Sequence, residues 1–274
     1  MSNASRTADG LAYEITGSGP PVLLMHEGIA DRTMWDPQWE RWRDRFTLIR
    51  HDHRGFGESS DPSSEYSMHG DALAVLDAAG VDRAAVIGAS MGGQAALDLA
   101  LKAPERVSAL AVVVGTPSGW EPMPDLKAQF DEVEAAYERA GLEGANEVEL
   151  RMWVDGPHRE PDDVDPAVRE HVARMNYAAL ERGEERERGG AEIEPSELDP
   201  PALDRLDEVR LPVLVVTGAL DQPSVIAGAT RIAAGIKGAE AIEIADTAHL
   251  PNLERPDEFD AAVLPFLEAH LTPV

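Results

Sequence analysis

The 274-residue sequence contains no cysteine. This excludes a disulfide framework, a thiol nucleophile and a cysteine-ligated metal. No segment approaches the roughly 18 continuous apolar residues of a membrane span. The polar segment Met1–Thr7 lacks the apolar run of a signal peptide. We therefore expect a cytoplasmic protein with no membrane partner, built as one large α/β domain or as a core domain with an insertion.

Positive charge is scarce. The chain has 24 lysine and arginine residues against 51 aspartate and glutamate residues, for a net charge of -27. Because nucleic acid phosphates would be repelled, we expect no nucleic acid partner. The acidity has two possible origins, the codon bias of a GC-rich genome or salt tolerance. Neither of them bears on the reaction.

Apolar strand patterns alternate with helical patterns along most of the chain. This order is typical of βαβ units and predicts an α/β fold with a mostly parallel central sheet flanked by helices. The predicted strands are Leu11–Thr16, Pro21–His26, Phe46–His51, Ala84–Gly88, Val107–Gly115, Leu211–Gly218 and Ala241–Ala245. The predicted helices between and after them are Asp71–Ala79, Gln94–Lys102, Val225–Ile236 and Asp257–His270.

The alternation stops between residues 117 and 200. This stretch has 23 acidic and nine basic residues, helical patterns at Asp131–Ala140 and Ala167–Arg182, and no strand pattern. Glu184–Gly190 reads as a solvated helix end or a mobile loop. We predict an inserted helical cap over 117–200 on a core formed by 1–116 and 201–274. The alternative is an ordinary helical connection, although about 80 residues is long for one.

A candidate nucleophile lies in the sequence Gly88-Ala89-Ser90-Met91-Gly92-Gly93. It is a G-x-S-x-G motif between a predicted strand and a predicted helix, where a sharp, strained turn exposes the serine hydroxyl. The flanking glycines fit a turn at which side chains would collide with the strand and the helix. The sequence therefore predicts Ser90 as a nucleophile.

A serine nucleophile needs a base, and the base needs a carboxylate to orient it. His249 follows the last predicted strand, at the end of the sheet where α/β sites form. Asp221 follows the strand before it and precedes His249 in the chain, as the motif requires. Asp246 is the alternative acid, although it lies only three residues from His249. Six further histidines are expected to be structural or exposed to solvent: His51, His53, His69, His158, His171 and His270.

Attack on a carbonyl also requires two backbone N–H donors for the oxyanion. Met91, which follows the predicted nucleophile, supplies one. The second is expected from the loop His26–Asp31, which follows the first core strand.

The chain resembles the α/β-hydrolase superfamily. The matching segments are PVLLMHEG, HDHRGFGES, GASMGG, VTGALD and TAHLPNLERPDEF, in the expected order. The pieces Met34-Trp35-Asp36 and Arg54–Gly57 resemble most the branch of small esterases and lactonases that includes 3-oxoadipate enol-lactonases. The resemblance implies Ser90 as nucleophile, Asp221 as acid, His249 as base, and the N–H groups of Gly28 and Met91 as the oxyanion hole. Its mechanism needs no metal and no organic cofactor.

One position departs from the family pattern. The family usually carries His-Gly where this chain has His26-Glu27. We expect the Glu27 side chain to point into solvent or to pair with an arginine such as Arg54. The alternative is that Glu27 shapes the pocket or disfavours anionic substrates.

These features predict a serine hydrolase that cleaves a carboxylic ester or lactone through an acyl-enzyme. C–C bond hydrolases, perhydrolases and thioesterases use the same triad, and a catalytically silent ligand-binding protein is the non-enzyme alternative. The expected substrate is a small neutral, apolar molecule, because the acidic cap would repel anions. The candidate pocket walls, each of which could instead be cap core, are Trp35, Trp120, Met123, Phe130, Trp153, Met175 and Tyr177.

Overall fold

The computed structural model describes residues 4–190 and 193–271 and contains one eight-stranded sheet. The strands are β1 (Ser5–Arg6), β2 (Ala12–Gly17), β3 (Pro21–Met25), β4 (Thr47–His51), β5 (Ala84–Ala89), β6 (Val107–Val113), β7 (Val213–Gly218) and β8 (Glu240–Ile244). Their spatial order is β1-β2-β4-β3-β5-β6-β7-β8. The pairs β1/β2 and β2/β4 are antiparallel, and all other pairs are parallel. The carboxyl ends of β3 to β8 therefore lie along one edge of the sheet.

Helices cover both faces of this sheet. The helices of the described residues are α1 (Asp36–Trp42), α2 (Met68–Ala78), α3 (Met91–Lys102), α4 (Pro124–Leu150), α5 (Pro166–Gly189), α6 (Pro223–Gly235), α7 (Pro251–Glu254) and α8 (Pro256–His270), and of these α3, α6 and α8 pack directly on the strands. Trp42 and Phe259 stack on one face, with ring centroids 6.1 Å apart, while Leu76, Leu97 and Ile232 fill the core on the other. Because both faces are covered, β5 is buried along its whole length. None of the described helices is long and apolar enough to cross a membrane.

The predicted α/β architecture is confirmed, with corrections at the element ends. The helix after the serine begins at Met91 rather than at Gln94, because Gly92 and Gly93 already take helical positions in the tight turn. Strand β1 and helix α1 were missed. β1 is only two residues long, and the seven residues of α1 are too few to display a helical period.

Two long helices, α4 and α5, lie between β6 and β7 in the chain. They pack through Asn176 Nδ2, which donates to Asn146 Oδ1 at 3.0 Å. Gly141 interrupts α4 with a φ of 67°, and a π-helical turn at Arg151–Asp155 follows it. Of the two interpretations of Glu184–Gly190, the structure shows the solvated helix end, since α5 continues to Gly189 and most of these residues are exposed; residues 191 and 192 lie outside the described residues.

Arginines on α5 hold that helix against the core. Arg182 donates to the carbonyl oxygens of Gly57 and Ser59, both at 2.8 Å, and Arg186 donates to Gly55 O at 3.0 Å. Because these arginines alternate with glutamates, the sequence pattern indicated solvated side chains and not these contacts with the core. Their partners are backbone carbonyls more than 100 residues away, which a local pattern does not reveal.

Candidate active site

Ser90 occupies the sharp turn between β5 and α3. Its backbone has φ 48° and ψ -112°, a strained conformation for a residue with a Cβ. The turn is possible because Gly88 and Gly92 lack side chains. A Cβ on Gly88 would lie 2.1 Å from Gly92 O, and one on Gly92 would lie 2.5 Å from His26 O. Ser90 is thus presented at the carboxyl edge of the sheet, where its hydroxyl has no hydrogen-bond partner among the described residues.

His249 and Asp221 form a buried pair on the loops after β8 and β7. His249 Nδ1 lies 2.8 Å from Asp221 Oδ2 and 3.0 Å from Oδ1. A carboxylate accepts hydrogen bonds, so Nδ1 carries the proton and Nε2 is left as the basic nitrogen. Burial lowers the pKa of His249, but the neighbouring acids, Asp221 first and then Glu27 and Glu254, raise it, and the net shift is upward. The pair is therefore chemically suited to accept a proton at Nε2.

Backbone contacts bring these two loops together. Leu220 N donates to Thr247 O at 2.8 Å, and a Cβ on Gly218 would lie 1.9 Å from Ala248 O. Asp246, the alternative acid, is exposed and lies 3.7 Å from Arg255. Of the two acids, Asp221 is the one that contacts the imidazole.

Two supports of the His249 loop were not predicted. Glu254 Oε1 accepts from Ala248 N at 2.9 Å, and Arg159 lies 2.6 Å from Glu254 Oε2. The Trp153 ring packs 4.6 Å from the His249 ring, while Trp153 O accepts from His249 N at 3.2 Å. Arg159 and Trp153 come from the segment between β6 and β7, so no local pattern links them to His249.

The two predicted oxyanion donors lie close together. Strands β3 and β5 are parallel neighbours with Met25 opposite Gly88, so Gly28 and Met91 follow adjacent strand ends. A Cβ on Gly28 would be 3.9 Å from Met91 Sδ. An oxyanion hole requires two N–H donors at neighbouring positions, and the two residues stand side by side at the carboxyl edge of the sheet.

Buried histidines hold the loop that carries Gly28. His26 Nδ1 donates to Glu27 O at 2.7 Å, and His53 N donates to His26 Nε2 at 2.9 Å. His53 Nε2 in turn donates to His26 O at 3.0 Å. The sequence pattern predicted only a structural role for His53, near the end of a strand. The structure gives it this positioning contact, and the HDHRGFGES match was the only sequence signal for it.

His26, His53 and His51, whose ring lies 4.9 Å from that of His53, make the stability of the protein depend on pH. Burial lowers the pKa of His26 to about 3 and that of His51 and His53 well below 6.5. Unfolded histidines bind protons below about pH 6.5 while these stay neutral, so their contribution to stability is lost as pH falls below that value.

We expect His51→Leu to be more tolerant of acid than the wild type. Neither ring nitrogen of His51 has a hydrogen-bond partner in the described part of the chain, so an apolar side chain leaves no group unpaired. The free energy of unfolding of the variant, relative to the wild type, should improve steadily as the pH falls from 7.5 to 4.5, because the wild type alone must keep this imidazole neutral in the folded state. Urea unfolding at the two pH values measures this difference, and a constant difference would contradict it.

Glu27 is not where the sequence suggested. The expectation that it points into solvent or pairs with Arg54 is wrong, because its side chain is buried. Arg54 instead pairs with Asp71 at 2.8 Å and with Asp9. Both Glu27 carboxyl oxygens lack a hydrogen-bond partner among residues 4–190 and 193–271.

A cavity of about 620 Å³ opens beside the predicted oxyanion donors. Core residues Gly28, His53 and Met91 line one side, and residues of α4 and α5 line the other. Five glutamates and two arginines border it: Glu134, Glu149, Glu184, Glu187, Glu194, Arg54 and Arg186. Its field is therefore negative overall.

None of the seven predicted pocket walls lines this cavity. Trp35 is buried in the core beside Phe259, and Met175 is buried against Thr33. Met123 is exposed. The residues of α4 and α5 that line the cavity include Tyr137 and the smaller apolar side chains of Val133, Leu142, Ala145, Ala179 and Leu180. Helix rotation, which the sequence does not specify, decides which residues of α4 and α5 face this cavity.

The remaining predicted walls lie elsewhere. Trp120 Nε1 donates to Ser224 at 3.4 Å, and Tyr177 donates to Glu143 at 3.4 Å. Phe130 packs 6.1 Å from Trp153, which places both near His249 but outside the cavity. Within the described residues no group of three or more metal-ligating side chains could hold a metal ion.

The chain matches the family model of the alpha/beta hydrolase fold over residues 20–256. A relative from Caulobacter sp. (strain K31), named "Putative carbamate hydrolase RutD", is 31% identical across 96% of this chain and 97% of its own length. A thermophilic esterase from Thermogutta terrifontis has a TM-score of 0.78 at 27% identity, covering 99% of this chain and 100% of that one. The enol-lactonase from Burkholderia xenovorans LB400 shares the fold, with a TM-score of 0.76 at 24% identity over 97% and 99% of the two chains.

Proposed function

The chain belongs to the alpha/beta hydrolase fold family, and from that premise we propose that it is a serine hydrolase that cleaves carboxylic esters or lactones through an acyl-enzyme. The observation that carries the proposal is the strained turn at Ser90, at the same sheet edge as the His249–Asp221 pair. Strain of this kind persists where the surrounding structure enforces it, which is typical of active sites.

The proposed reaction uses each part of this site. His249 Nε2 removes the Ser90 proton as Oγ attacks the carbonyl carbon, and Asp221 stabilises the imidazolium that forms. The N–H groups of Gly28 and Met91 bind the oxyanion. His249 then protonates the leaving alkoxide. Water hydrolyses the acyl-enzyme by the same path, which releases the acid and returns the proton to Ser90.

Covalent labelling tests this assignment directly. A fluorophosphonate should modify Ser90, identified by peptide mass spectrometry, and prior modification should block hydrolysis of a chromogenic ester. Absence of both labelling and ester turnover in folded protein would contradict the proposal.

We further propose that residues 117–200 form a helical cap that selects the substrate. Two observations support this role: α4 and α5 line the cavity opposite Gly28 and Met91, and Arg182 and Arg186 fasten α5 to the core loop at 55–59. The cap then determines the size and charge of the group that reaches Ser90.

The charge of the cavity leads to a prediction about substrates. We expect at least a tenfold higher kcat/KM for a neutral aryl ester than for an isosteric ester with a carboxylate on its acyl chain. The five glutamates around the cavity repel the carboxylate of the anionic ester. Arg54 is already paired with protein carboxylates and does not offset this repulsion. Steady-state kinetics on the matched esters at low and high salt measure the preference. A tenfold preference for the anionic ester would contradict it.

Carbamate hydrolysis is a second candidate. The relative from Caulobacter sp. (strain K31) that is named a carbamate hydrolase aligns with this chain over nearly its full length. An aryl ester and an aryl carbamate with the same leaving group separate the two functions. Thioester, peracid and C–C bond substrates can be compared on the same protein, because the triad alone does not distinguish them.

A further inference from the structure

Glu27 is a buried carboxyl that the proposed mechanism does not use. It lies between His26 and Gly28, so its backbone belongs to the oxyanion loop, and its carbonyl oxygen is fixed by His26 Nδ1. The side chain is buried, and in the described parts of the chain neither carboxyl oxygen has a hydrogen-bond partner. A buried carboxylate without donors is strongly disfavoured relative to the neutral acid.

The charged groups that act on this carboxyl come from three surrounding segments. They are His249 on the loop after β8, Asp221 on the loop after β7, and Glu254 on α7. Two of the three are acids, and Arg159, the cation beside Glu254, is already engaged with it at 2.6 Å. Burial raises the pKa of Glu27 to about 8, with Asp221 and Glu254 raising it and His249 opposing them.

We propose that Glu27 makes the hydrolase sensitive to alkaline pH: as a neutral carboxylic acid it leaves the oxyanion site undisturbed, and its ionisation turns the enzyme off. This inference rests on the proposed function. Asp221 already supplies the negative charge that stabilises the imidazolium of His249. A second negative charge on the residue next to Gly28 opposes the oxyanion that the Gly28 N–H group binds.

The kinetic test is a pH–rate profile from pH 5 to pH 10 with a neutral chromogenic ester. For the wild type we expect kcat/KM to fall about tenfold per pH unit above roughly pH 8. Glu27→Gln is neutral and of the same shape, so its rate at pH 7 should stay within about threefold of the wild type and should not fall up to pH 10. Glu27→Gly, which restores the usual family residue, should behave in the same way.

Asp98→Asn is the matched control. Asp98 is another buried carboxyl, but it is bonded to Ser118 at 2.7 Å and lies outside the site. This variant should keep the alkaline loss. A flat wild-type profile, an alkaline loss that survives in both Glu27 variants, or folded Glu27 variants that are slow at every pH would each overturn the inference.

A second measurement does not depend on any substrate. The ¹³C carboxyl resonance of Glu27, assigned by its absence in Glu27→Gln, should titrate near pH 8 rather than near 4.5. The stabilising contribution of a carboxyl with a raised folded-state pKa is complete below the unfolded pKa and is lost as pH rises through the folded one. The Tm of Glu27→Gln relative to the wild type should therefore rise between pH 6 and pH 9.5.

The two measurements separate the two proposals. A carboxyl that titrates near 4.5 overturns the role of Glu27 even in an active esterase. Wild-type protein that hydrolyses no ester at any pH, while Glu27 titrates near 8, contradicts the proposed function and removes the switch with it.

Discussion

Ser90→Ala is expected to lower kcat/KM for a chromogenic ester by about 10⁴-fold or more, with the protein still folded. The loss is large because, in the proposed mechanism, Oγ is the atom that bonds to the carbonyl carbon. A water molecule that takes the place of the Ser90 hydroxyl and is activated by His249 is a much poorer nucleophile. The residual rate should reflect the oxyanion donors and substrate binding alone.

Stability provides the check that the lost activity is chemical. Alanine keeps the Cβ in the strained conformation at φ 48°, so Ser90→Ala should melt close to the wild type. Ser90→Gly should melt slightly higher because glycine relieves the strain. Ser64→Ala, at an exposed serine far along the chain from the turn, is the control and should keep full activity and fluorophosphonate labelling. Substantial turnover by folded Ser90→Ala would exclude Ser90 as the nucleophile.

The predictable part of this molecule is the part fixed by chain order. In a parallel sheet the strand ends share one edge, so a serine after one strand and an aspartate and a histidine after later ones are expected to lie at that edge. The contact between His249 and Asp221 agrees with that expectation.

What could not be predicted depends on long-range packing. No residue near Glu27 in the chain indicates that its side chain is buried, or that His249, Asp221 and Glu254 affect its pKa. The cavity lining depends on how α5 rotates and docks, and Arg182 sets this through backbone carbonyls of a distant loop. The residues of α4 and α5 that line this cavity are therefore ones that the sequence pattern did not single out.

Asp221→Asn is the second substitution with a large expected effect, about 10⁴-fold in kcat at neutral pH, by analogy with other triads. Asparagine keeps the shape and can still accept from Gln222 N, which now donates to Asp221 Oδ1 at 2.7 Å. Its amide, however, can present an N–H group to His249 Nδ1, and this favours the tautomer in which Nε2 is protonated. Such a ring cannot accept the Ser90 proton.

The pH dependence distinguishes this mechanism from simple loss of structure. With the Asp221 carboxylate gone, burial is the dominant influence on His249 and lowers its pKa. The acid limb of the remaining activity should therefore move to lower pH. Asp246→Asn is the matched control, because Asp246 is exposed and has φ 57°, a conformation that asparagine tolerates well. It should stay within about twofold of wild type. If Asp246→Asn were the slower enzyme, the acid would be Asp246, and the 2.8 Å contact between His249 and Asp221 would be structural.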